Sequence, residues 1–71
     1  MSQFRDTFGN RIARRVGNKI FDEYGNWIYE VRGNRIYDTA GNWKYEIRDD
    51  SLWGGARIFD TSGNWRGTEL Q

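Results

Sequence analysis

The dipeptide Gly-Asn recurs at positions 9, 17, 25, 33, 41 and 63 of this 71-residue chain, and the first five copies stand eight residues apart. A fixed period constrains architecture tightly, because each copy has to build the same local structure. The full unit repeats every sixteen residues: Lys19-Ile-Phe-Asp-Glu-Tyr-Gly-Asn-Trp-Ile-Tyr-Glu-Val-Arg32 returns, with substitutions, from Arg35 to Arg48. A degenerate copy runs from Gln3 to Val16 and another from Arg57 to Leu70. Four units thus fill residues 1–71, a length that suits one small domain.

The second half of each central unit alternates strictly. Trp27, Tyr29 and Val31 stand against Ile28, Glu30 and Arg32, and Trp43, Tyr45 and Ile47 against Lys44, Glu46 and Arg48. Period two in aromatic and β-branched residues marks a strand. The shorter first half, Ile20-Phe21-Asp22 or Ile36-Tyr37-Asp38, reads as its partner strand across an Asp-x-x-Gly-Asn turn. There Asp bonds backbone amides, and Gly and Asn accept positive φ. The Gly17-Asn18 and Gly33-Asn34 connections read as two-residue hairpin loops of type II′, which place Gly first. These signals predict an all-β fold, an antiparallel meander of about eight short strands from four hairpin repeats, barrel-like or flower-like.

Side chains alternate faces along a strand, so loop lengths set which residues share a face. If Trp27 and Trp43 share one, Asp-x-x-Gly-Asn encloses four loop residues and Val31 lies opposite Ile36. The expected core is then Ile20, Trp27, Tyr29, Val31, Ile36, Trp43, Tyr45, Ile47, Ile58 and Trp65. Two places break the pattern. The first copy puts arginines at the core parity of residues 11–16, which calls for a one-residue slip or a partner on that face. Between the third and fourth copies the two-residue turn gives way to residues 49–56, six residues longer.

Ile, Leu and Val number ten, while Phe, Trp and Tyr number twelve, so the core has to use rings. A chain this short rarely buries enough apolar surface alone, and it has no Cys or His for a disulfide or a structural zinc. Association with further copies is the remaining route to burial. Residues 1–20 hold five basic residues against one acid, net +4, and the remainder six against nine, net −3. Opposite ends of two copies therefore attract. A pI of about 8.1 falls short of a dedicated nucleic-acid binder. No apolar run is long enough for a signal sequence or a membrane span, so neither a membrane nor a nucleic-acid partner is expected, and the location is read as cytoplasmic.

Without His or Cys, imidazole acid-base catalysis, thiolate nucleophiles and the usual zinc sets are excluded. Serines occur at 2, 51 and 62, none in a nucleophile motif. No catalytic residue, metal or cofactor is expected. Asp49 and Asp50 beside Ser51 lack the spacing of a calcium loop, and Asp6, Asp22, Asp38 and Asp60 each open a turn. Phe21, Tyr37 and Phe59 lie on the parity opposite to the core, where the first copy has Arg5, and so are candidate interface rings. Leu52 and Trp53, in the 49–56 insertion, form a candidate contact with a partner or ligand, or a plug for the barrel end.

The strings Phe21-Asp-Glu-Tyr-Gly-Asn26, Tyr37-Asp-Thr-Ala-Gly-Asn42 and Phe59-Asp-Thr-Ser-Gly-Asn64 resemble the Tyr-Asp-x-x-Gly hairpins of YD (Rhs-type) repeats and of small four-fold β-flower proteins. The β-flower resemblance implies four hairpins about a centre. The Trp-x-Tyr element after Gly-Asn is similar to that of choline-binding repeats, at a different spacing. The expected function is that of a non-enzymatic module that associates with itself as a homodimer or homotetramer. The alternatives are a small-ligand, carbohydrate-binding module using exposed aromatics and, third, single-stranded nucleic-acid binding.

Overall fold

The computed structural model describes residues 2–50 and 55–70. Eight strands follow one another: β1 (Ser2–Asp6), β2 (Arg11–Val16), β3 (Lys19–Asp22), β4 (Trp27–Arg32), β5 (Arg35–Asp38), β6 (Trp43–Asp50), β7 (Gly55–Asp60) and β8 (Trp65–Leu70). Each pairs antiparallel with the next, and β1 pairs with β8 through Gln3↔Leu70 to Asp6↔Gly67, closing a barrel. Closure removes the free strand edges that an open meander exposes. Among the described residues no helix is long and apolar enough to cross a membrane.

Two kinds of turn join the strands. Gly17 and Gly33 have φ of 62° and 61°, and among the described residues no non-glycine has positive φ, which fits the type II′ loops expected there. At the other end four identical turns link β1 to β2, β3 to β4, β5 to β6 and β7 to β8. In the second of these the Gly25 N–H donates to the Asp22 carbonyl at 3.1 Å, and the Asp22 N–H to the Asn26 carbonyl at 2.9 Å. Gly alone takes the positive φ. Asn26 contributes hydrogen bonds instead, correcting the expectation that both residues would adopt that conformation.

Four enclosed residues and the Val31↔Ile36 pair match expectation, yet the three repeated tryptophans do not join the core. Each even strand carries a β-bulge: Ile20 pairs with Tyr29 but Phe21 with Trp27, leaving Ile28 as the extra residue. Ile12, Lys44 and Arg66 are the extra residues of β2, β6 and β8. One inserted residue reverses parity. Trp27, Trp43 and Trp65 therefore face outward, 43%, 37% and 47% exposed. The core is Phe4, Ala13, Ile20, Val31, Ile36 and Ile58, with Ile28, Tyr29, Tyr45 and Ile47 packed against it.

Of the two alternatives for the first copy the one-residue slip holds, at the Ile12 bulge, which carries Arg11 off the core parity and opposite Arg5. Ala13 takes the core position, while Arg15, on the same parity, meets Glu69 across the seam at 3.4 Å. Ser2, itself buried, donates its hydroxyl to the same Glu69 carboxylate. The insertion is also not a free loop throughout, since Asp49↔Ala56 and Asp50↔Gly55 extend the β6–β7 ladder.

Candidate functional site

The bulges that expel the tryptophans place each one directly opposite an outward ring of the preceding strand: Phe21↔Trp27, Tyr37↔Trp43 and Phe59↔Trp65. Phe21, Tyr37 and Phe59 are half-buried on the outer wall, where their parity predicts. Basic side chains lie over these rings. Lys19 sits 5.1 Å from the centre of Trp27, Arg32 5.2 Å from Tyr37, Arg35 4.8 Å from Trp43, Arg48 4.4 Å from Phe59 and Arg57 6.0 Å from Trp65. Such stacking holds a ring flat on the wall. The indole N–H groups of Trp27 and Trp43 donate to the carbonyls of Tyr29 and Tyr45, both at 2.8 Å, and that of Trp65 to Gly67 at 2.7 Å. Three sectors of the wall thus carry a ring opposite an indole that lies under a cation, and in two of them the ring, Tyr37 or Phe59, has a cation as well.

The fourth sector differs in chemistry. Where the other copies have Phe or Tyr, then Trp, the first has Arg5 and Arg11, directly opposed across β1 and β2. Arg14, opposite Phe21, stands where β4 and β6 have Glu30 and Glu46. Among the described residues Arg5, Arg11 and Arg14 form no ion pair, whereas Arg15, Arg32, Lys44, Arg48 and Arg66 do. Like charges opposed across a strand pair cost stability, so this sector is a basic patch beside the Phe21, Trp27 and Glu30 sector.

The four turn aspartates behave alike. In the second turn Asp22 Oδ1 accepts the Tyr24 and Asn26 backbone N–H groups, both at 2.9 Å, and Oδ2 accepts Asn26 Nδ2 at 3.2 Å. Asp6, Asp22, Asp38 and Asp60 are all held below the ordinary carboxylate value of 3.8, chiefly by the backbone N–H of the closing asparagine. Each carboxylate thus holds its turn closed; among the described residues no three His, Cys, Asp or Glu side chains are grouped to hold a metal. Inside the barrel, burial first, then the Tyr45 hydroxyl and the Asp38 charge, push the Tyr29 phenol up to about 12.

Of the five site residues expected from sequence, Phe21, Tyr37 and Phe59 lie on the outer wall in separate hairpins, and Leu52 and Trp53 lie outside the described residues. The sequence reading missed Trp27, Trp43 and Trp65 as surface groups. The available signal was the Lys or Arg at 19, 35 and 57, which recurs eight residues before each Trp. Neither models of known protein families, nor characterised proteins, nor solved structures yield a match to this chain.

Proposed function

We propose that this protein is a non-enzymatic association module whose outer wall binds a second copy of itself. The observation that carries the reading is the adjacency of the basic sector, Arg5, Arg11 and Arg14, to the sector of Phe21, Trp27 and Glu30. A patch with cations on one half and rings with a carboxylate on the other is self-complementary about a two-fold axis. Each copy's arginines then stack beside the partner's Phe21 and join Arg32, which lies 3.2 Å from Glu30, on that carboxylate, and the Arg5–Arg11 repulsion is relieved. Aromatic and Arg side chains are the groups that dominate such interfaces. Closure of the barrel supports the same reading, because association by strand addition at a free edge is not open to it.

Sedimentation velocity at tens of micromolar tests the proposal. A dimer is expected, weakened by salt and converted to monomer by the Arg11→Glu, Arg14→Glu double variant with its circular dichroism unchanged. A folded monomer whose thermal midpoint does not vary with concentration refutes it. Kinship with four-fold β-flowers, resting on the Asp-x-x-Gly-Asn strings, and a cytoplasmic location belong to the same proposal. Cell fractionation tests the location.

A further inference from the structure

An eight-stranded barrel has an interior that side chains just fill or that holds one small ligand. Here the even strands contribute two large and two small residues to one layer, Tyr29 and Tyr45 against Ala13 and Gly67. The two tyrosines pack edge to face, their centres 5.6 Å apart at 89°. Gly67 cannot carry a side chain, because a Cβ would collide with the Arg5 carbonyl oxygen where β8 meets β1. Ala13 adds one methyl. The unfilled half of the layer is a cavity of about 440 Å³ that reaches the first aspartate turn at Asp6, Thr7 and Phe8, with Phe4, Ile20, Ile36 and Ile58 in its wall.

Two of the bulges add to it, since Ile12 and Ile28 also line the cavity. At the rim stands Phe8, from the first turn, which is 90% exposed. A phenylalanine ring left in water beside an open apolar well is unfavourable unless something covers both. The rim also carries charges of both signs, Arg5, Asp6 and Arg66. Asp6 lines the cavity, and Asp38 lies close enough to act on the Tyr29 phenol. Arg5 donates to the Gly9 carbonyl at 2.9 Å and keeps its charge, and Arg66 lies 3.9 Å from Asp60.

We propose that the barrel interior is a binding site for a compact, apolar, uncharged small molecule. Apolar walls with a few polar groups at one side, in a volume of this size, are the usual make-up of small-molecule sites. At ~30 Å³ per water the space equals about fifteen waters, enough for one or two fused six-membered rings. Tyr29 and Tyr45, which line the cavity, supply their phenol groups as the polar contact. A charged group carried among these apolar walls loses its hydration without a buried partner, so the occupant is uncharged. Phe8 covers the bound molecule and becomes buried with it.

Methyl NMR on the full chain, with 13C-labelled isoleucine, tests the site using 2-naphthol as a neutral probe and 2-naphthoate as its anionic counterpart. The six isoleucines contain their own control, for 12, 20, 28, 36 and 58 line the cavity while Ile47 does not. With naphthol the five should shift together and Ile47 stay still. Naphthoate should bind at least about tenfold more weakly, and Phe8→Ser should leave the thermal midpoint unchanged while weakening naphthol about fivefold. The proposal fails if the isoleucines stay still up to about 1 mM naphthol. It also fails if the shifts include Ile47 equally, if naphthoate binds as well as naphthol, or if Phe8→Ser leaves naphthol affinity unchanged.

Discussion

Replacing Gly25 by Val isolates the cost of one backbone conformation. The φ of Gly25 is 88°, a region that L-residues avoid because Cβ crowds the following carbonyl. A Cβ built there meets nothing within 4 Å, so no clash with the rest of the fold contributes. The local strain is ~1–2 kcal/mol for an ordinary residue and toward ~3 kcal/mol for a β-branched one. Against this, any side chain reduces the freedom of the unfolded chain relative to Gly, which returns about 0.4–1 kcal/mol. The net expectation is a loss of about 2 kcal/mol for Gly25→Val, about 0.5–1 kcal/mol for Gly25→Ala and less for Gly25→Asn, whose side chain tolerates this region. A chain of 71 residues has ~4–10 kcal/mol to lose, so the Val variant should remain folded. With a urea m-value of about 1 kcal/mol/M, its midpoint should fall by roughly 2 M. Gly41, at φ 91° with equally open surroundings, should behave the same way. Equal midpoints for the wild-type and both Val variants, or an Asn variant as damaged as the Val one, would refute the argument.

Trp43→Ala should cost only about 1–2 kcal/mol in urea denaturation, because the ring is a surface group under Arg35; a loss of 3–5 kcal/mol would place it in the core instead. The turn aspartates have lowered folded-state values, so the stability they give is complete above about 3.8 and is lost as the pH falls through those lowered values. Asp38→Asn should therefore flatten the acid limb of a stability-against-pH curve, and an unaltered limb would contradict the assigned cause. Tyr29 shows the opposite sense: its phenol is raised from 10.0 to about 12, so its contribution is whole below about pH 10 and is lost as the pH rises toward about 12. Tyr29→Phe should remove that alkaline decline, measured by denaturant midpoints from pH 9 upward.

Much of the fold was legible in the residues because its determinants are local. Gly at 17 and 33 with a two-residue loop selects type II′ wherever it occurs, and Asp22 bonds amides two and four residues away, so turn positions, strand count and the Val31↔Ile36 pair follow from short strings. The outward place of Phe21, Tyr37 and Phe59 follows too, since they lie on the uninterrupted side of each hairpin. What the chain alone did not reveal was the bulge at Ile12, Ile28, Lys44 and Arg66. Trp-x-Tyr-x-Val reads as period two with or without an extra residue in the ladder, because the extra residue is defined only by what its partner strand leaves unpaired. That single count decides whether three tryptophans form the core or the surface. The barrel seam is the other property of the whole. Arg15 is accepted on the inner parity because Glu69, 54 residues away, reaches it only when β8 closes on β1. Gly67 is required by the same approach of the Arg5 carbonyl, so the cavity beside it exists only in the closed barrel.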